Sequence, residues 1–170
     1  MDIKDLKNVI KQSAMYGNDE YGNAFDDTNA CREKNLSFPT EIIARKGAIV
    51  DNLGFVYGNI LLVHGGTGGN PMKFTLEKDE HIIRVSGSQE RFDNVMLIQS
   101  LEFETDKKRV FSVGYPSQNG RFDYRVEPGY GICAMYGRSA NYLGAIGFYA
   151  RKVNMENNDV FGGMKGKFGL

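Results

Sequence analysis

The chain has 170 residues, with 21 Lys and Arg against 21 Asp and Glu, so its net charge is zero. That balance leaves no basic field for phosphate backbones and argues against nucleic acid as the main partner. Hydrophobic residues at 41% suffice for a core, and 21 glycines without a collagen period point to one domain of many short strands joined by tight turns.

In chain order, Met1 to Ile10 has no apolar h-region, so a cytoplasmic location is expected, or secretion if a leader has been removed. Ile3, Leu6, Val9 and Ile10 fall at helical spacing after Asp2, and residues 1–14 fit either a short helix or an added edge strand. Tyr16 to Phe25 is polar, with Gly17 and Gly22 allowing positive φ and close backbone approach. Asp26 to Pro39 reads as a surface loop holding Cys31. Strands follow over Glu41 to Arg45, Ala48 to Tyr57 and Asn59 to Val63, the last carrying an apolar run far too short for a membrane span. His64 to Pro71 is the most glycine-dense loop. It is not a phosphate cradle, because neither a helix pattern nor Lys-Ser/Thr follows. Next come strands over Lys73 to Leu76 and His81 to Ser86, a polar loop from Gly87 to Asn94, then strands over Val95 to Ile98, Ser100 to Thr105, Val110 to Val113 and Phe122 to Val126. Residues 154–170 read as a polar, glycine-rich tail.

The pattern is that of an all-β sandwich or barrel-like domain. A weak internal repeat runs through it: Gly47 to Tyr57 echoes Ala140 to Tyr149, with Glu90 to Val95 as a poorer third copy. Three copies at this scale fit a three-fold arrangement of four-stranded units. Cys31 and Cys133 form no C-x-x-C, so a structural zinc is not expected, and Cys133 sits in an apolar strand pattern. His64 and His81 have no carboxylate or Cys partner at a telling spacing, which favours core or surface roles over catalysis.

Near the C-terminus, Tyr136 to Tyr149 reads as a strand, a tight polar loop and a second strand, a layout suited to a small polar ligand. This stretch resembles the sugar-binding loop of the jacalin-related lectins. The resemblance extends, in the family's order, through Gly22 to Asp27, Gly47 to Asp51, the His64 to Pro71 loop, Ile82 to Gly87 and Ser100 to Lys108. It implies a β-prism I of three Greek-key four-stranded sheets with pseudo-three-fold symmetry, spanning residues 15–152 between an extension (1–14) and a tail (153–170). It also implies metal-independent carbohydrate binding with no cofactor. Glycans or glycoproteins become the expected partners, with no membrane insertion and with homo-oligomerisation left open.

The family's motif is Gly-x-x-x-Asp in the final loop, aided by a first-loop glycine. Its carboxylate accepts charge-assisted hydrogen bonds from sugar hydroxyls while backbone N–H groups donate to their oxygens. By resemblance Gly22 matches the first-loop glycine, and Ala140, Asn141, Tyr142, Leu143 and Gly144 match the motif. Ala140 stands where the family has Gly and Gly144 where it has Asp. Each lost bond to the charge costs roughly 1.5–3 kcal/mol, about ten- to hundredfold in affinity. A second carbohydrate position is expected from Gly47, Ala48 and Asp51 beside Gly65, Gly66 and Gly68, where Gly-x-x-x-Asp is kept but the additional Asp of some mannose-specific members is replaced by Ala48. A turn-capping role for Asp51 is the favoured expectation of the two.

Three functions follow from this reading. The first is a lectin, with mannose- or glucose-type ligands favoured. The second is a prism scaffold that has lost sugar binding and works through protein contacts. The third, an enzyme, lacks a motif for a nucleophile–base or carboxylate pair.

Overall fold

A computed structural model describes residues 10–157 and residue 160. Its strands are β1 (Ile10–Gln12), β2 (Tyr16–Gly17), β3 (Asn23–Asp26), β4 (Glu41–Lys46), β5 (Val50–Tyr57), β6 (Ile60–Gly65), β7 (Asn70–Thr75), β8 (Ile82–Phe92), β9 (Val95–Thr105), β10 (Val110–Val113), β11 (Phe122–Arg125), β12 (Tyr130–Ser139) and β13 (Leu143–Lys152), and the helix α1 (Thr28–Glu33) lies between β3 and β4. They form three antiparallel sheets ordered β6-β5-β4-β7, β10-β9-β8-β11 and β1-β13-β12-β3. β2 also pairs with β13, through Gly17 opposite Ala145, so β1 and β2 share one edge of that strand. Each sheet is therefore a four-position Greek key. The first strand lies between the second and the fourth, and the third lies outside the second. The sheet containing β12 and β13 is completed by β1 to β3, so it joins the first and last described strands. This is the expected β-prism.

The core lies between the sheets. Phe55, Phe103 and Phe148, one from each sheet, are fully buried. Phe103 meets Phe148 edge-on at 6.2 Å and Phe55 at 6.5 Å, the T-shaped geometry aromatic quadrupoles prefer. The period-2 pattern of β10, with Phe111 and Val113 inward, fits its predicted bounds.

Three local expectations are corrected. Asp26 to Pro39 is not simply a surface loop: it contains α1, which buries Cys31 to 2% exposure. Burial pushes that thiol up to about 11, and likewise Cys133 up to about 12. Gly87 to Phe92 continues β8, because its polar residues have partners across the ladder; Ser88 and Ser100, both fully buried, are 2.5 Å apart through their hydroxyls. Val95 to Thr105 is a single strand whose register shifts opposite Ser88 and Gln89. Of the N-terminal expectation, Ile10–Gln12 is an edge strand. Residues 1–9 of that stretch, and all but residues 153–157 and 160 of the expected tail, lie outside the described residues. Among the described residues no helix is long and apolar enough to cross a membrane.

One buried charge fixes a loop junction. Glu80, with a fully buried side chain, accepts from the Glu77 N–H (2.7 Å), the Thr105 hydroxyl (2.6 Å) and Arg109 (2.7 Å). Burial pushes its carboxyl up, but these donors outweigh that and hold it below the usual carboxylate range. A lowered folded value stabilises above the unfolded value and is lost as pH falls through the folded one. Glu80→Gln is expected to cost roughly 2 kcal/mol at pH 7. In urea unfolding, the gap to the unaltered protein should narrow at about pH 3, below the unfolded value of about 4.3.

Candidate functional site

The registers of two sheets superimpose the repeat copies residue by residue. In the β4–β5 hairpin Lys46 pairs with Val50, and the Gly47 N–H donates to the Ile49 carbonyl at 3.0 Å. In the β12–β13 hairpin Ser139 pairs with Leu143, and the Ala140 N–H donates to the Tyr142 carbonyl at 3.1 Å. Asp51 and Gly144 therefore occupy the same place. The β8–β9 hairpin is one residue shorter: Phe92 pairs with Val95 across Asp93 and Asn94, which have φ of 50° and 64°, as a type I′ turn requires. Its next residue is Met96. Of the three matching positions, only Asp51 is an acid.

The loops facing these hairpins match as well. Lys46 pairs with Asn70, and Ser139 with Asn23, so Gly69 corresponds to Gly22 and Gly68 to Tyr21. Gly69 and Gly22 have φ of 74° and 54°. A Cβ on Gly22 would lie 2.3 Å from the Ser139 carbonyl oxygen, and one on Gly69 would lie 2.8 Å from that of Lys46. Only glycine fits at either position. Arg45 donates through Nε and a terminal nitrogen to the carbonyls of Gly68 and Gly69, both at 2.9 Å. Arg138 donates in the same way to Tyr21 (2.7 Å) and Gly22 (2.8 Å). The sequence reading missed both arginines, although Arg45 and Arg138 each stand two residues ahead of a repeat copy and Arg91 lies within the third.

The two positions are filled in opposite ways. Beside Asp51, Gly68 has no side chain, and a Cβ there would sit 2.8 Å from the carboxylate Oδ2. Beside Gly144, the Tyr21 side chain fills the space; a Cβ on Gly144 would lie 2.4 Å from the Tyr21 Cδ2 and 2.6 Å from its Cβ. The final-loop carboxylate is thus not only absent but replaced by an aromatic ring from the facing loop.

The remaining candidate residues can now be placed. Leu143 belongs to the core, Gly144 is buried, and Ala140 and Asn141 are exposed. Tyr142 meets Phe92 edge-on at 5.5 Å. Its phenol is pushed up by desolvation first, then by the charges of Asp93 and Asp51. Gly65 packs on the Asp51 backbone, Gly66 receives the Asn52 side-chain amide at 2.9 Å, and a Cβ on Gly66 would strike the Asn141 carbonyl at 2.2 Å. The glycine loop of one sheet therefore abuts the final hairpin of another. Ala48 is exposed at the turn tip. Asp51 itself is 6% exposed, and desolvation raises its pKa against the opposing pull of the Gly47 N–H and Arg45.

Both histidines have carboxylate partners that sequence spacing did not reveal. His64 Nε2 lies 2.9 and 3.0 Å from the Asp27 oxygens and stacks on Phe25, tying the β6 edge to the β3 edge. His81 lies 3.2 Å from Asp106. Among the described residues, no group of three or more His, Cys, Asp or Glu side chains could hold a metal ion.

The Tyr21–Gly144 packing has a direct test. Gly144→Asp alone is expected to lower stability by about 1–3 kcal/mol through overpacking. Adding Tyr21→Gly, which recreates the arrangement at Gly68 and Asp51, should recover part of that loss in urea unfolding.

Comparison with known proteins agrees with this architecture. Residues 13–149 match the model of the jacalin-like lectin domain. Jacalin-related lectin 9 of Arabidopsis thaliana is 32% identical over 109 residues, covering 62% of this chain, which spans only 34% of that longer protein. Horcolin of Hordeum vulgare is 33% identical over 111 residues, covering 61% of this chain and 75% of its own. Among solved structures, the mannose-specific jacalin-related lectin from Morus nigra in complex with mannose aligns with a TM-score of 0.69 at 25% identity, over 84% of this chain and 95% of that one. The artocarpin–mannotriose complex aligns at 0.70 with 21% identity, over 84% and 97%. With the matched model spanning most of its length, this chain belongs to the jacalin-like lectin domain family.

Proposed function

We propose that this domain is a carbohydrate-binding lectin module that uses the Asp51 position rather than the final loop. The observation that carries this reading is the register equivalence: Asp51 is the one acid among Asp51, Met96 and Gly144, and the residue facing it is Gly68 instead of a bulky side chain. Its carboxylate would accept from sugar hydroxyls, and backbone N–H groups of the turn and glycine loop would donate. Desolvation of the Asp51 carboxylate supports a functional role, since burial opposes ionisation and perturbed carboxylates concentrate at sites. Mannose- or glucose-type ligands are favoured, because family relatives of known structure include a mannose-specific lectin and a mannotriose complex. Binding would need neither metal nor catalysis, and glycans or glycoproteins would be the partners.

A second reading, a prism that has lost sugar binding and acts through protein contacts, draws on two observations. Tyr21 fills the final-loop position, and little of Asp51 reaches solvent.

One substitution separates the readings. If Asp51 serves sugar, Asp51→Asn lowers affinity for a glycan that the unaltered protein selects from an array in the presence of a chelator. The expected loss is about ten- to hundredfold, with a melting temperature at pH 7 unchanged or higher. A fall in melting temperature with affinity intact, or a blank array from folded protein, supports the scaffold. Because the folded value is raised, protonation begins at higher pH than in the unfolded chain. Sugar affinity should therefore decline on acidification while an ordinary Asp, near 3.9, would still be ionised. Isothermal titration between pH 7 and pH 4 reads this directly.

A further inference from the structure

We propose that the outer face of the β6-β5-β4-β7 sheet carries an apolar subsite for the aglycone of an amphipathic glycoside whose sugar occupies the Asp51 position; this rests on the carbohydrate reading above. A solvent-facing sheet surface ordinarily alternates to polar residues. Here Leu61 and Val63 on β6 are 53% and 40% exposed. Val63 is opposite Gly54, which is opposite Ile43, so the row Ile43–Gly54–Val63 lacks a side chain at its centre. Ile43, Leu61, Val63 and Pro71 line a cleft of about 500 Å³. That volume lies within the range of roughly 300–1,000 Å³ typical of small-ligand sites.

The polar end of the cleft is formed by Arg45, Asn52 and Thr67. Arg45 and Asn52 are the side chains that hold the carbonyls of Gly66, Gly68 and Gly69. The loop that flanks the Asp51 carboxylate on one side thus borders the cleft on the other. A ligand with its sugar at Asp51 and a substituent crossing this loop would reach Val63 and Ile43. The two cations of the wall have acidic neighbours within the protein: Arg45 interacts with the charge of Asp51, and Lys73 has Glu41 at 3.8 Å. The cleft therefore suits a neutral aryl or short alkyl group.

The test compares methyl and phenyl α-mannosides, and the matching glucosides, by isothermal titration on the full chain. The phenyl glycoside of the sugar that binds should be about tenfold tighter than the methyl glycoside, from burial of the ring. The gain should vanish in Val63→Ser while methyl-glycoside affinity is unchanged. In ¹³C-methyl spectra of the unaltered protein, Leu61 and Val63 signals should move with the phenyl glycoside and stay still with the methyl glycoside. Equal affinities for the two, each dependent on Asp51, overturn the subsite and leave the sugar reading standing. Phenyl-glycoside binding that is undiminished in Asp51→Asn overturns the continuity of the two positions. If no glycoside binds, both readings fall.

Discussion

The arginine fork in front of each glycine-bearing loop is the interaction on which the site geometry depends. Arg45 and Arg138 each place two N–H donors on consecutive carbonyls of the facing loop in their own sheet. A planar guanidinium fits this task because its donors are fixed relative to one another. The fork sets how far the loop stands from the hairpin, and so decides what can lie over the fifth residue of the repeat. Lys would supply one rotatable ammonium and lose the two-point registration. Arg91, the third copy, instead donates to the Asn94 carbonyl within its own shorter turn at 3.0 Å.

With loop height set this way, side-chain volume is shared across the gap. Gly68 leaves room for Asp51, whereas Tyr21 requires Gly144. The same backbone holds either a carboxylate or an aromatic ring that closes the place. One sheet took each solution, and the β8–β9 hairpin, with a shorter turn and Met96, took neither. The prism can tolerate such divergence because its stability comes from elsewhere: the buried Phe55, Phe103 and Phe148 core and the junction around Glu80.

Much of this was legible in the residues. Alternation located most strands, and the Gly47, Glu90 and Ala140 copies are the inner hairpins of the three sheets. Gly22 and Gly68 read as candidate binding glycines, and register sets them in the loops that face the β12–β13 and β4–β5 hairpins. What escaped depended on partners distant in sequence. Tyr21 reaches Gly144 only because the early strands β1 to β3 complete the sheet of β12 and β13. Asp27 reaches His64 only across the edges of two sheets. Gly87 to Phe92 looked like a loop because serines rarely line a core, and the hydroxyl pair of Ser88 and Ser100 is visible only in the ladder. The arginines were visible in the sequence but carry meaning only once the carbonyls they hold are known.

The proposed seat of ligand binding is Asp51 and not the final loop. An ¹⁵N-amide NMR titration with methyl α-mannoside tests it most directly, because it reports location independently of any substitution. The amides of Gly47, Asp51, Gly66 and Gly68 are expected to shift together while those of Leu143 and Gly144 stay in place. Shifts confined to Ala140 through Gly144 would contradict it.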